Sequence, residues 1–321
     1  MRWYILRRLG QAALVLWGAM TLSFAIVHLV PGDPVRIMLG VGDGAEGGSA
    51  ATTEQIEQVR SELGLDRPVL VQYVAFLARA VTLDFGTSYS TQRPVTEVIA
   101  GATPPTLQLA ALSIALSLVL GLVFALAGAL LPTRWIRSLF QSVTVLGIAV
   151  PSFWVAILLL QVFSFSLGWF PAFGNDSFAA LVLPAFTLAL LTAGTLAQVL
   201  GRGIVESLAQ PYADTARAKG ASQARVVVRH ALRNGSLPVF TIVGMMVGGI
   251  LSGATIVETI YGRNGLGTVI VDAITARDFP LIQALVIFSG GVFVIVTLLV
   301  DLGYRYIDPR VTSPAASEVL V

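Results

Sequence analysis

Six long apolar runs alternate with polar segments along the chain of 321 residues. A run of about 20 apolar residues is long enough for an α-helix to cross a hydrocarbon layer roughly 30 Å thick. The pattern therefore predicts an all-α integral membrane protein with six transmembrane helices, at residues 9–30, 106–131, 139–165, 178–200, 237–257 and 281–300.

The first run has features of both a signal peptide and a membrane span, since Arg2, Arg7 and Arg8 precede it. Its apolar length exceeds the roughly 7 to 15 residues usual for the core of a signal peptide. It also ends in Val-Pro-Gly-Asp-Pro at residues 30–34, which lacks the small residues of a cleavage site. We therefore expect an uncleaved first span.

Proline and glycine occur inside the later runs. Pro151 and Pro184 fall within two of them, where membrane helices tolerate proline if neighbouring groups satisfy the freed carbonyl. The fifth run is rich in glycines that let another helix approach closely, namely Gly244, Gly248, Gly249 and Gly253. We interpret these residues as packing features of a helix bundle rather than as ligand contacts.

The longest polar segment, residues 33–100, holds nine acidic residues against five arginines. Its Gly- and Ser-rich part, residues 42–53, is typical of a flexible loop. Residues 53–63 have the spacing of a short amphipathic helix, and residues 68–80 are consistent with another. We expect a small cap outside the bilayer plane that packs against the spans or against a docked protein.

Arginines in the short loops indicate the orientation. Six crossings place four basic clusters on one face: Arg2, Arg7 and Arg8; Arg134 and Arg137; the 206–235 stretch; and Arg305 and Arg310. By the positive-inside rule this face is cytoplasmic, so both termini are inside and the acidic segment is outside. The expected organisation is a tail and first helix (1–31), an extracytoplasmic segment (32–100), a five-helix core (101–310) and a cytoplasmic tail (311–321).

The composition agrees with a membrane protein, because the hydrophobic fraction is 55% and the charged fraction only 12%. The absence of cysteine excludes disulfides and thiol chemistry. The two histidines, His28 and His230, lie on opposite sides in this topology and indicate neither a metal centre nor a catalytic site. We expect His28 to be an interfacial residue with a satisfied hydrogen bond. Nothing in the chain points to a nucleic-acid partner.

Two energy sources can be weighed from the charged residues. The five runs after the first contain no ionisable side chain, which argues against a proton-coupled carrier, although sodium bound by backbone oxygens stays open. A phosphate-binding P-loop needs Gly-Lys followed by Ser or Thr, but the only lysine, Lys219, is followed by Gly220. If ATP drives this protein, another subunit must hydrolyse it.

The charged stretch at residues 206–235 stands between two uncharged runs. Pro211 suits a first helical turn, and Gly220 suits the left-handed residue that ends a helix. Ser222 can cap a second helix over residues 223–233, on which Arg225, Arg229 and Arg233 share one face. Val226, Val227, His230 and Ala231 fall on another face. We therefore predict an L-shaped pair of short helices at a membrane surface.

This stretch resembles a known signature. Asp214-Thr215-Ala216, followed by Gly220, resembles the EAA signature of permeases from bacterial ATP-binding-cassette importers. Residues 230–234 (His-Ala-Leu-Arg-Asn) are similar to its second half in the peptide branch. Flanking motifs resemble the first permease subunit of dipeptide, oligopeptide and nickel importers: 31–34 (Pro-Gly-Asp-Pro), 63–66 (Leu-Gly-Leu-Asp), 84–88 (Asp-Phe-Gly-Thr-Ser), 257–262 (Val-Glu-Thr-Ile-Tyr-Gly) and 265–267 (Gly-Leu-Gly). The chain departs from the signature at Asp214, where many importers have Glu, and at Arg233, where many have Pro.

The resemblance implies the type I importer permease fold and a non-enzymatic subunit that forms half of a pathway for dipeptides or oligopeptides. It implies a heterodimer with a second permease, two cytoplasmic ATPase subunits that bind ATP and Mg, and an external solute-binding protein, all at a bacterial inner membrane. It also implies that the ATPases dock on the stretch, through Tyr212, Asp214, Thr215, Ala216, Arg217, Lys219, Gly220, Ser222 and His230.

Other interpretations stay open at this point. An ion-coupled carrier and a structural membrane protein without a pathway are two alternatives from different classes. Similar permeases also handle nickel complexes, glutathione and sugars, so the substrate does not follow from the sequence.

Overall fold

A computed structural model describes residues 2–29, 35, 53–62, 66–131, 133, 135–136, 138, 142, 144 and 150–307. Within these residues the protein is almost entirely helical. The helices are α1 (Arg2–Leu29), α2 (Thr53–Glu62), α3 (Val69–Val81), α4 (Val95–Leu130), α5 (Ser152–Leu159), α6 (Phe178–Leu208), α7 (Pro211–Ala218), α8 (Gln223–Val226), α9 (Leu232–Gly235), α10 (Leu237–Ile260), α11 (Leu266–Thr275) and α12 (Phe279–Ile307). Two π-helical turns, Leu160–Ser166 and Val227–Ala231, follow α5 and α8 directly.

Four helices in the described part of the chain are long and apolar enough to cross a membrane, at Leu6–Leu29, Val95–Leu130, Phe178–Leu208 and Phe279–Leu299. A fifth span is added if Ile242–Ile250 and Ser252–Ile260 of α10, bent by 41°, count as one. These helices confirm an all-α membrane protein. The predicted third span, residues 139–165, lies in large part outside the described residues.

Several helix ends differ from the sequence-based limits. Helix α6 continues to Leu208, eight residues past the predicted end, because its later turns pack against the segment that follows. Helix α10 continues to Ile260 and therefore includes Glu258. The prediction for Pro151 was wrong, since this residue precedes α5 at its N-terminal end, where the missing N–H leaves no helical carbonyl unbonded. Pro184 lies inside α6 as predicted.

The chain divides into two compact units. The first comprises Met1–Pro104 and Thr268–Val294, and the second comprises Pro105–Gly267 and Ile295–Val321. Each unit has its own packing. The predicted loop at residues 42–53, apart from Thr53 at the start of α2, and the tail at 311–321 fall outside the described residues.

In the second unit, α6 is the central element. In its most apolar stretch 61% of the residues are buried, compared with 11% in the most apolar stretch of α1. The side chains of α6, such as Leu196, form a hydrophobic core with Leu109 of α4 and Ile250 of α10. A Cβ added to Gly253 would lie 3.0 Å from Leu188 of α6, which confirms close approach at this glycine. A polar pair also lies in this region, where the Ser117 hydroxyl of α4 contacts the Thr192 hydroxyl of α6.

In the first unit, the segment between α1 and α4 bonds to the residue that precedes α12. The Ser88 hydroxyl donates to the buried Asp278 carboxylate at 2.6 Å, and the Ser90 N–H and hydroxyl donate to it at 3.0 and 2.8 Å. Burial by itself raises the pKa of Asp278, but these hydrogen bonds outweigh it and hold that pKa below the usual value. The contact therefore stabilises the fold above about pH 4, and its contribution is lost as the pH falls through the lowered pKa.

Candidate functional site

The candidate site is the charged stretch at residues 206–235, called here the coupling segment. Its first helix, α7, begins with Pro211 at the first helical position. The helix ends in a Schellman motif, in which the Gly220 N–H donates to the Arg217 carbonyl at 2.9 Å and the Ala221 N–H donates to the Ala216 carbonyl at 3.1 Å. Gly220 has φ +83°, the left-handed conformation that glycine adopts without steric cost. Both predicted ends of this helix are confirmed.

The second helical piece starts at Ser222, whose hydroxyl accepts from the Arg225 N–H at 3.4 Å. It then runs from Gln223 to Gly235 with a π-helical turn in the middle, which the regular helix predicted for this region did not include. Its exposed side is basic, with Arg225, Arg229 and Arg233. Its buried side contains Val226, Val227 and Ala231, all without exposed surface, while His230 is half-buried. The predicted division into a basic face and an apolar face is therefore confirmed.

The other predicted site residues lie on or beside α7. Asp214 forms an exposed ion pair with Arg217, with 2.7 Å between Oδ1 and Nη1. Thr215 is exposed and donates its hydroxyl to the Pro211 carbonyl at 3.1 Å. Lys219 is exposed at the helix end, whereas Tyr212 and Ala216 are half-buried. The helix thus presents charge outward and turns its Ala213 methyl inward, where it is fully buried.

Two contacts fix the coupling segment to the membrane helix α6. Val227 and Ala231 pack with Leu200 and Ile204 of α6, and Ala125 of α4 completes this cluster. In addition, the backbones of Gly203 in α6 and Gly235 in α9 touch, so a Cβ added to Gly203 would overlap the Gly235 carbonyl and lie 2.9 Å from its Cα. Sequence reasoning missed this crossing, which only glycine permits on both sides.

A polar cleft of about 220 Å³ adjoins the crossing. It is lined by residues of α6, its following turn, α9 and the start of α10, namely Gly203, Glu206, Ser207, Gln210, Asn234, Gly235 and Pro238. The cleft lies on the same part of the molecule as the coupling segment and adds a carboxylate and amide groups to its polar surface.

A second polar cluster, which the sequence reasoning also missed, lies where α10 ends. The fully buried Glu258 carboxylate accepts from the Thr106 hydroxyl at 2.7 Å and from the Gly267 N–H at 2.7 Å. The Thr106 hydroxyl in turn accepts from the Leu266 N–H at 2.8 Å. A Cβ at Gly265 or Gly267 would overlap the carboxylate or its helix, which explains the Gly-Leu-Gly spacing. We call Thr106, Glu258 and residues 265–267 the Glu258 cluster.

Two large side chains brace the same turn. Arg263 is 2% exposed and donates to the carbonyls of Gly174 and Ala180 at 3.3 Å. Burial lowers the pKa of its guanidinium, and the nearby Glu258 carboxylate opposes that shift by favouring the charged form. The buried Tyr261 hydroxyl contacts the Thr187 hydroxyl at 3.1 Å and donates to the Ala156 carbonyl at 3.3 Å. These bonds fold the loop after α10 back onto α5 and α6.

Among the described residues, no group of three or more His, Asp or Glu side chains is arranged to hold a metal ion. The coupling segment exposes a dense group of charges on a helical segment between two membrane helices, and its apolar side is packed against α6.

Comparison with known proteins identifies the class. Residues 117–313 match the family described as the binding-protein-dependent transport system inner membrane component, and residues 1–110 match the N-terminal family of the same transport systems. The chain belongs to this family of ATP-binding-cassette importer permeases, which are transport subunits and not enzymes. Membership confirms the family resemblance and the membrane location, and it decides against the ion-coupled carrier and the structural protein.

Particular relatives are similar over almost their whole length. The glutathione transport system permease protein GsiC of Salmonella paratyphi A is 38% identical over 308 residues, covering 96% of this chain and 98% of the relative. GsiC of Escherichia coli strain K12 is 37% identical with the same coverage.

Solved structures show the same fold at low identity. An inward-facing MetNI methionine ABC transporter aligns with a TM-score of 0.57 and 13% identity, covering 67% of this chain and 98% of that chain. An amino acid ABC transporter solved with histidines aligns with a TM-score of 0.53 and 19% identity, covering 66% and 94%. These matches confirm the permease fold predicted from the signature.

Proposed function

We propose that this chain forms one half of the translocation pathway of an ATP-driven importer and couples the pathway to ATP hydrolysis through residues 206–235. A second, homologous permease forms the other half. Two cytoplasmic ATPase subunits bind ATP and Mg, and an external binding protein delivers the solute. The observation that carries this proposal is the geometry of the coupling segment, which is rigid, charged outward and fixed to a membrane helix.

Rigidity matters because a flexible loop absorbs a displacement, whereas a packed element transmits it. The Schellman motif fixes the end of α7, and the Ser222 cap fixes the start of α8. From there, the packing of Val227 and Ala231 and the glycine crossing at Gly203 connect the segment to α6. A movement of an ATPase against α7 would therefore be transmitted through packed contacts to α6, the central helix of the second unit.

The proposed docking residues divide into two groups. Asp214, Arg217 and Lys219 offer exposed charges that a partner can pair with, while Gly220 and Ser222 shape the segment without offering a side-chain contact of comparable reach. Tyr212, Thr215, Ala216 and His230 are proposed to line the contact. The mixed charge of α7 fits a cleft that carries both signs.

A single-cysteine cross-link tests the docking surface, because the chain has no cysteine of its own. Ala218→Cys, exposed at the end of α7, is expected to cross-link to an ATPase subunit in the assembled complex. Glu97→Cys, exposed at the start of α4, is the matched control and is expected to give no product. If Ala218→Cys gave no ATPase adduct in a complex that hydrolyses ATP, the docking assignment would be wrong.

We also propose the orientation with both termini in the cytoplasm. Under this orientation, Gln223→Cys reacts with a membrane-impermeant maleimide only in inverted vesicles, whereas Asp176→Cys reacts only in right-side-out vesicles. Both side chains are exposed, so accessibility is limited by the membrane and not by burial. The reversed labelling pattern would overturn the orientation without affecting the docking proposal.

The substrate is proposed to be a small peptide. The relatives named for glutathione transport support this class, because glutathione is itself a tripeptide. Uptake by the reconstituted complex, with its own binding protein, should be measured for labelled glutathione, a dipeptide, an oligopeptide and a nickel complex. Saturable, ATP-dependent uptake of glutathione or another peptide is expected; uptake of the nickel complex alone would overturn the peptide proposal.

A further inference from the structure

Helix α3 is apolar on a side that nothing in the described chain covers. One side, which includes Tyr73, Phe76 and the buried Ala80, packs within the first unit. The opposite side consists of Leu70, Val71, Val74, Ala75, Ala78 and Val81 and is exposed, with Leu70 at 75% and Val81 at 79%. A helix at a protein surface in water carries polar residues on its outer side, so this composition requires an apolar environment.

The contacts of α3 with α1 set its depth in the membrane. The Tyr73 hydroxyl contacts the Thr21 hydroxyl at 2.7 Å, and the rings of Tyr73 and Phe76 lie 5.3 and 5.6 Å from that of Phe24. Thr21 lies eight residues before the end of the apolar helix at Leu29. At 1.5 Å per residue this separation is about 12 Å, within the roughly 15 Å half-thickness of the hydrocarbon layer.

Polar groups lie at both ends of α3, and those at its start lie near the end of α1. His28, near the end of α1, contacts the Gln72 amide at 3.2 Å, and Gln72 donates to the Arg67 carbonyl at 2.8 Å. Arg79, in the last turn of α3, forms an exposed ion pair at 3.6 Å with Asp84, which follows the helix. A long arginine side chain can extend from a buried helix to the headgroups. The polar termini and the apolar exposed side together match a helix lying within one leaflet.

We propose that α3 lies in the leaflet at the outer end of α1, with Leu70, Val74, Ala78 and Val81 in contact with lipid acyl chains. Lipid is the occupant that the neighbouring surface favours, because α1 is itself mostly uncovered and exposes Leu22, Ile26 and Leu29 at the same depth. The bilayer thus covers both helices as one continuous surface. The helix anchors the extracytoplasmic segment to the membrane plane before the chain returns to bind Asp278.

Nitroxide labels on single cysteines test this position in the reconstituted complex. Labels at Val74→Cys and Ala78→Cys should collide freely with oxygen, which concentrates in lipid, and rarely with a water-soluble nickel chelate. Three controls bracket the result: Val119→Cys is exposed on the membrane helix α4, Glu97→Cys is exposed near its start, and Ala80→Cys is buried on the packed side of α3. The oxygen-to-nickel collision ratio at positions 74 and 78 should match that of Val119 and exceed that of Glu97 several-fold.

Two results would overturn the proposal. Ratios at positions 74 and 78 equal to that of Glu97 would place α3 in water. Poor access to both reagents, as at Ala80, would show that a protein subunit covers this side. The collision ratio reports whether a label lies in lipid, whichever side of the membrane the label is on. The test is therefore independent of the proposed orientation and of the coupling proposal. Position 78 is used in addition to position 74 because the Ala78→Cys change is small enough to leave the packing intact.

Discussion

The coupling segment and the Glu258 cluster both contain motif residues of the importer family, yet they are built in opposite ways. In the coupling segment the charged motif residues are exposed, as in the Asp214–Arg217 pair, and the backbone is held by local turns. In the Glu258 cluster the motif residues are buried and bond to one another across 152 residues of sequence. The first region leaves its charged groups at the surface, and the second uses its groups internally.

The difference teaches how to interpret a family motif. A motif residue that is buried and fully engaged within its own chain, such as Glu258, is explained by stability. A motif residue that is exposed and only weakly engaged, such as Asp214, contributes little to the fold and requires another explanation. Substitutions in the two regions should therefore separate loss of folding from loss of coupling.

The largest expected effect is that of Glu258→Ala. The change removes the acceptor of the Gly267 N–H and the carboxylate near the buried Arg263, so we expect the free energy of unfolding to fall by roughly 3–5 kcal/mol. Thermal unfolding of the purified complex measures this loss, and Glu258→Gln, which keeps one oxygen acceptor, should lose less. A normal unfolding temperature with abolished uptake would show that Glu258 acts in transport. The contrast drawn between the two regions would then be wrong.

The next effect concerns the glycine crossing. Gly203→Ala places a methyl group against the Gly235 backbone, which should cost about 1–3 kcal/mol through overpacking and shift α9 relative to α6. Gly201→Ala is the matched control, since a Cβ there meets nothing within 4 Å. Unfolding temperature and uptake should both fall for Gly203→Ala and stay at parental values for Gly201→Ala. If the two variants had the same unfolding temperature and the same uptake, the crossing would have no role in coupling.

A smaller effect on stability, with a larger effect on coupling, is expected at Gly220. A β-branched residue at φ +83° costs roughly 1–2 kcal/mol of backbone energy, while a Cβ there meets no neighbour within 4 Å. Gly220→Val should therefore leave the complex assembled and reduce uptake per ATP hydrolysed. Asparagine tolerates the left-handed conformation, so Gly220→Asn should keep most of the coupling that Gly220→Val loses. Unchanged coupling in Gly220→Val would make the segment a passive connection.

The smallest effect on folding is expected for Asp214→Ala. Its exposed ion pair with Arg217 contributes only about 0.2–0.5 kcal/mol, so the unfolding temperature should not change measurably. Affinity for the ATPase subunits should nevertheless fall, and Asp214→Glu should retain it because the charge is kept. If ATPase binding and uptake were both normal in Asp214→Ala, the exposed charge would have no coupling role.

Local features of the coupling segment could be predicted because they depend on a few neighbouring residues. Pro211, Gly220 and Ser222 act through the turn that contains them, so their residue types predict the helix ends correctly. The π-helical turn at Val227–Ala231 has no such local signature, and it lies where Val227 and Ala231 pack against α6.

Long-range features could not be predicted from the pattern. The chain has 31 glycines, and nothing in the sequence distinguishes the touching pair Gly203 and Gly235 from the others. Likewise, an apolar run is taken to end at its first charge, so the fifth span was given a limit before Glu258. Only the approach of Thr106 and Gly267 from distant positions makes burial of that carboxylate favourable.

The contact between Gly203 and Gly235 also has a mechanical consequence. The backbone contact joins the two ends of the intervening segment, from Ile204 to Asn234, at one point of α6. The packing of Val227 and Ala231 adds a second attachment directly beside the first, at Leu200 and Ile204. Because both attachments lie at the base of the segment, a displacement of α7 would turn the segment about this base rather than stretch it.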